Sequence, residues 1–139
     1  MNENDIVFSA LSKAGHNQLV QGKLYAYADI LKAKAILLDA EGKYIDMLKV
    51  LMLAFYIYAS GDGGRCLIDS SVVRMVVSAA DKAKICRDDF EALYYDTVDR
   101  STTRMHRYGV KKTLHILIRS IKRSGMCLQN DKQVIGKNM

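Results

Sequence analysis

The stretch VLMLAFYIYA, residues 50–59, has no charged residue, and its only polar groups are two tyrosine hydroxyls. It belongs to a longer segment, residues 44–60, that continues up to a glycine-rich stretch. A helix that is hydrophobic on every side is buried on every side, so we predict that 44–60 is the central helix of the protein. The run is too short to cross a bilayer, which needs about 20 apolar residues, and Asp46 and Lys49 lie just before it.

The segments around this helix also place their apolar residues at helical spacing. We predict further helices over 4–14, 17–40, 70–85, 88–108 and 110–123. Asp69 or Ser70 is the predicted cap of helix 70–85. The chain has no proline in 139 residues, which fits helices with few forced breaks. The predicted fold class is therefore all-α: a compact bundle of five or six helices whose C-terminal helix is basic and amphipathic.

Three local signals give sharper predictions about where helices bend or end. Asp88 followed by Glu91 is typical of a capping box, so Asp88 is the predicted cap of its helix. Gly109 is predicted to end that helix and to separate it from the next. Gly22 could mark a kink near the start of segment 17–40.

The length of the chain predicts one domain, residues 1–124, followed by a flexible tail, 125–139, in which no periodicity is evident. Cys66, Cys86 and Cys127 are odd in number and form no C-x-x-C pair. We therefore expect a reduced, cytoplasmic protein without a disulfide framework, a metal site or a cofactor. The acidic start of the chain also lacks the basic residues of a secretion signal.

Charge is distributed unevenly along the chain. Residues 1–61 are neutral, 62–99 carry a net charge of −3, and 100–139 carry +9. A basic segment of this kind predicts a polyanionic partner, either nucleic acid or an acidic protein surface. The alternative is that acidic residues of the preceding segment neutralise it within the fold. Those residues are Asp88, Asp89, Glu91, Asp96 and Asp99.

Helical geometry favours a binding surface in the basic segment. Arginines at 100, 104 and 107 and a lysine at 111 step by four, three and four, which aligns them if the helix continues past Gly109. We therefore predict a non-enzymatic binding protein. The segment 110–123 has no Trp or Phe to anchor it, so we expect no membrane partner. The predicted binding residues are Arg100, Arg104, Arg107, Lys111, Lys112, Arg119, Lys122 and Arg123.

The stretch RSTTRMHRY, residues 100–108, is similar to the R-x(4–6)-H motif of the HEPN ribonucleases, which are small all-α proteins. Arg100 and His106 are separated by five residues, and Tyr108 stands where some members add a tyrosine. The resemblance implies a metal-independent ribonuclease, with His106 moving protons, Arg100 holding the phosphate and two motifs meeting in a homodimer. This is the alternative function, and the only one in which catalytic residues are assigned.

Segments 17–40 and 44–60 together resemble a helical hairpin of the tetratricopeptide repeats. Gly42, Tyr44 and Ala54 fall where that family favours glycine, an aromatic residue and alanine. Met47 and Leu51 stand where alanine and an aromatic are usual, and no 34-residue repeat recurs. The resemblance implies a module that binds proteins, which is the third functional hypothesis.

Overall fold

In a computed structural model of the chain, residues 18–60, 70–98, 104–125 and 128 are described, with side chains for 25–59, 71–98, 109–125 and 128. These ranges contain no strand, so the all-α prediction is confirmed. The predicted helix 4–14, and the tail apart from Gly125 and Leu128, lie outside the described residues. The helices are α1 (Gln18–Ala40), α2 (Tyr44–Ser60), α3 (Ser70–Ala83), α4 (Arg87–Val98) and α5 (Arg104–Arg123).

Helix α2 lies at the centre of the bundle, as its sequence predicts. Every residue from Leu51 to Ala59 is buried, and α2 packs against each of the other four helices. Because the neighbours approach this part of α2 from all sides, no side of residues 51–59 needs to be polar. The large, fully buried side chains around it are Leu31, Phe90, Tyr94, Leu114, Leu117 and Ile121.

Helix α1 turns back onto α2 through a short link. Gly42 has φ 74°, a left-handed conformation that glycine adopts at little cost. The Lys43 N–H donates to the carbonyl oxygen of Leu38 at 2.9 Å and so closes the end of α1. Helix α1 packs mainly on α2 and lies at the edge of the bundle.

The predicted capping box at Asp88 is wrong, because α4 begins earlier. The Asp89 N–H lies 3.4 Å from the Cys86 sulfur, and the Phe90 N–H donates to the Cys86 carbonyl at 2.9 Å. Cys86 is therefore the cap, and Asp88 already lies in the first turn. Glu91 does not reach back to the helix start, since its carboxylate accepts a hydrogen bond from Arg87 at 2.9 Å.

The predicted end of a helix at Gly109 is also wrong. Helix α4 ends at Val98, and Gly109 lies inside α5, which begins at Arg104. Glycine in a helix interior costs about 1 kcal/mol, and the apolar stripe that α5 buries offsets this cost. Gly22 likewise lies within the unbroken helix α1.

Helix α3 ends at Ala83, two residues before its predicted end. Lys84 adopts a left-handed conformation with φ 54°. The Ile85 N–H then donates to the Ala80 carbonyl at 3.3 Å. This closing pattern normally uses glycine, which is why no sequence signal marked it.

Candidate nucleic-acid interface

The inner face of α5 fixes how the helix is oriented on the bundle. Val110, Leu114, Leu117 and Ile121 are buried against the core. Thr113 is also buried, and its hydroxyl donates to the Val110 carbonyl at 2.9 Å.

A buried hydrogen bond joins α5 to α4. The Tyr94 hydroxyl and the Thr113 hydroxyl are in contact. Because Thr113 donates its one hydroxyl proton to the Val110 carbonyl, Tyr94 is the donor in the hydrogen bond between the two hydroxyls. Burial raises the pKa of Tyr94, so this group stays protonated and keeps donating. The contact holds α5 in one rotation about its own axis.

The outer face of α5 is cationic. At 100° per residue the exposed basic side chains fall within an arc of about 120°, opposite the buried stripe. No Asp or Glu occurs in residues 104–123. The exposed members of this basic face are Lys111, Lys112, His115, Arg119, Lys122 and Arg123.

Helix α4 forms no described ion pair with this basic face. Glu91 is hydrogen-bonded to Arg87 within its own helix, and Asp89 and Asp96 line a groove next to the end of α3. Among the described residues, no ion pair joins an acid of α4 to a cation of α5. Direct ion pairing with the described side chains of α5 is therefore absent for Asp88, Asp89, Glu91 and Asp96, while Asp99 lies outside the described residues.

The backbone of α5 brings part of the predicted arginine row onto the basic face. Because α5 runs through Gly109, residues 104, 107 and 111 belong to one continuous helix. Residues 104 and 111 are two turns apart and share one side of it. The side chains of Arg104 and Arg107 are outside the description, as is the whole of Arg100.

The residues of the ribonuclease-like motif are only partly placed. The backbone positions of His106 and Tyr108 lie in the first two turns of α5. Their side chains and the whole of Arg100 fall outside the described residues. The pairing of Arg100 with His106 therefore stays a prediction.

A groove that the sequence did not predict lies beside α4. It has a volume of about 500 Å³ and is open to solvent. Its apolar lining includes Ile45, Ile85 and Leu93, and its carboxylates are Asp89 and Asp96. These residues come from three separate segments, so no local sequence pattern predicts the groove.

The described residues show neither a metal site nor a membrane-spanning helix. No described cluster of His, Cys, Asp or Glu has the arrangement of a metal site. Within the described ranges, no helix combines the length and the hydrophobicity needed to span a membrane. No protein-family model, curated protein or solved structure matches the chain.

Proposed function

We propose that the basic face of α5 binds the phosphate backbone of nucleic acid without reading its sequence. The observation that carries this proposal is the set of exposed cations on a helix that contains no acid and forms no described ion pair with its neighbours. Charges left unpaired on one face attract a polyanion, and each phosphate contact releases a bound counterion.

The arrangement suits the phosphate backbone better than base edges. Lysines and arginines fix a protein on nucleic acid without carrying sequence information. The chain shows neither a helix-turn-helix nor an RNA-recognition signature. Binding should therefore weaken steeply with salt, with a slope of about −0.7 per neutralised phosphate on a single strand.

The test is fluorescence anisotropy of a labelled single-stranded RNA titrated with the full chain at several salt concentrations. In Lys112→Ala/Arg119→Ala we expect affinity to fall about tenfold, and the slope in log salt to drop by about 1.4. The matched control, Lys43→Ala/Arg74→Ala, removes the same charge from exposed positions outside the basic face. Equal losses in both variants, or no binding at low salt, would contradict the proposal.

The same titration separates the other hypotheses. An acidic polypeptide that binds as tightly as RNA and displaces it would indicate an acidic protein partner. RNA that shortens with time, and stays intact with His106→Ala, would indicate the ribonuclease. If neither RNA nor the polypeptide binds, the helical hairpin of α1 and α2 becomes the surface to study.

A further inference from the structure

The basic face of α5 has two separate edges. Lys111 and Lys122 are one pair of exposed lysines, and Lys112 and Arg123, each one residue further along, are a second exposed pair. The members of each pair are about three helical turns and about 16 Å apart, so each pair lies along one line parallel to the helix axis. We call Lys111 and Lys122 the first edge, and Lys112 and Arg123 the second edge.

The two edges lie on opposite sides of a ridge. At 100° per residue they are about 100° apart around α5, which separates them by about 9 Å at the surface of a helix about 12 Å wide. The exposed side chains of His115 and Arg119 lie between them. The basic face is therefore a convex ridge with cations along both sides, and not a single row of charges or a concave channel.

Both edges face outward together. The buried contact between Tyr94 and Thr113 fixes the rotation of α5, and the apolar stripe of the helix is packed on the bundle. Among the described residues, none of the four edge side chains forms an ion pair. A ligand can therefore contact both edges without breaking a described ion pair or turning the helix.

This arrangement suits two nucleic-acid strands better than one. A single backbone follows one line, so it can lie along one edge at a time, whereas the two backbones of a duplex can meet one edge each. Surfaces that bind single strands also combine a basic groove with aromatic side chains on which the bases stack. The described side chains of α5 include no Phe, Tyr or Trp.

The width of the ridge selects the form of the duplex. The major groove of B-form DNA is about 12 Å wide and admits an α-helix, which is itself about 10–12 Å across. The minor groove of B-form DNA is only about 6 Å wide. The major groove of an RNA duplex is deep and narrow. Of these grooves, only the major groove of B-form DNA accommodates the ridge between two strands.

We propose that α5 lies in the major groove of B-form DNA, with its first edge on the phosphates of one strand and its second edge on those of the other. This inference rests on the proposed function and names its substrate class. The four edge contacts are to phosphates, so they position the helix without reading the base sequence.

The first test compares three labelled probes by fluorescence anisotropy with the full chain. The probes are a DNA duplex of about 20 base pairs, one of its strands alone, and an RNA duplex of the same sequence. We expect the DNA duplex to bind at least about tenfold more tightly than either of the others, because it alone engages both edges. All three probes are titrated at the same series of salt concentrations.

Variants of the two edges test the contact with two strands. Lys111→Ala/Lys122→Ala and Lys112→Ala/Arg123→Ala each remove two exposed cations from one edge. On the DNA duplex each should lower the slope in log salt by about 1.8, and all four substitutions together should lower it by about 3.6. On the single strand either variant alone should change the slope little, because the strand can lie along the edge that remains.

A chemical footprint tests which groove is occupied. Dimethyl sulfate methylates guanine N7, which lies in the major groove, and adenine N3, which lies in the minor groove. The bound chain should protect guanine N7 and leave adenine N3 reactive. The control Lys43→Ala/Arg74→Ala alters exposed positions outside the basic face and should preserve both the salt slope and the protection.

The outcomes separate this inference from the proposed function. Equal affinity for the DNA duplex and the single strand, or an RNA duplex bound as tightly as the DNA duplex, would overturn the inference and leave the proposed function standing. A bound DNA duplex whose guanine N7 atoms stay reactive would do the same. If none of the three probes binds at low salt, the proposed function and the inference both fail.

Discussion

Helices α1 and α5 both lie at the outside of the bundle, yet their outer faces differ. Each buries one apolar face against α2. On the other side α5 exposes cations, which water hydrates well, whereas α1 exposes Ile30, Ile36 and Leu37. Exposed apolar surface costs about 25 cal/mol per Å². The inner faces thus build the fold, while the outer faces differ in character: that of α5 is basic and that of α1 is apolar.

The sharpest test of this comparison uses two leucines of α1. Leu31 is 1% exposed and Leu37 is 66% exposed. Leu31→Ala should lower the free energy of unfolding by about 2–5 kcal/mol, because it removes buried contacts and leaves a cavity. Leu37→Ala should change it by less than about 0.5 kcal/mol at concentrations where the chain is monomeric. Urea unfolding of dilute protein measures both.

This pair of variants can also contradict the description of α1. If Leu37→Ala cost as much as Leu31→Ala in dilute solution, then both sides of the helix would be covered within one chain. The outer face would then be part of the core.

The second prediction concerns the bond that orients the basic face. Thr113→Val leaves the buried Tyr94 hydroxyl without its acceptor, which should cost about 1–3 kcal/mol of unfolding free energy. Adding Tyr94→Phe removes the hydroxyl that has lost its acceptor, so the double variant should recover most of the lost unfolding free energy. Chemical denaturation of the two single variants and the double variant gives the coupling energy. Additive losses would show that the two hydroxyls are not coupled.

Much of the fold could be predicted from residue pattern alone, and the central helix shows why. The bounds of this helix, 44–60, and its central position follow from an uninterrupted apolar run. Such a run predicts burial on every side without knowledge of which helices pack against it. The basic face of α5 is similarly local, since the charges and the buried stripe alternate along one helix. The fold class and the basic face of α5 could therefore be predicted from the spacing of apolar and charged residues along the chain.

The errors arose where the outcome depended on residues distant in sequence or on a weak signal. Gly109 was predicted to end a helix, but tertiary packing of α5 overrides its low propensity. Cys86 caps α4 although cysteine is not a usual helix cap. Aspartate is one of the favoured cap residues, so the sequence predicted Asp88 instead. The exposed apolar face of α1 could not be predicted from the segment alone, because apolar residues occur on both sides of the helix and only the structure shows which side packs on α2.

The third prediction tests the continuity of α5. A Cβ built at Gly109 meets no atom within 4 Å and needs no left-handed backbone. Gly109→Ala should therefore stabilise the protein by about 0.5–1 kcal/mol. Gly42→Ala is the matched contrast, because φ is 74° there and alanine would be strained. Thermal unfolding of both variants should show opposite signs, and a loss at Gly109 would contradict a continuous helix.

The smallest effect concerns the ion pair that attaches the end of α1 to α3. The Lys82 ammonium lies 2.8 Å from the Asp39 carboxylate and 5.5 Å from the centre of the Tyr44 ring. The hydrogen bond to Asp39 is the main cause that raises the pKa of Lys82 above 10.5. A raised pKa means that the folded state favours the charged lysine, so its contribution is complete below pH 10.5 and is lost as pH rises through the folded value.

Lys82→Met should therefore lower stability slightly near neutral pH, because both members of the pair are exposed and screened by solvent. The difference from the unmodified chain should shrink above pH 10.5, as that chain also loses the charge. Urea titrations of both proteins on either side of this pH measure the change. A difference that stays constant with pH would mean that the aliphatic stem of Lys82, rather than its charge, holds the end of α1 against Tyr44.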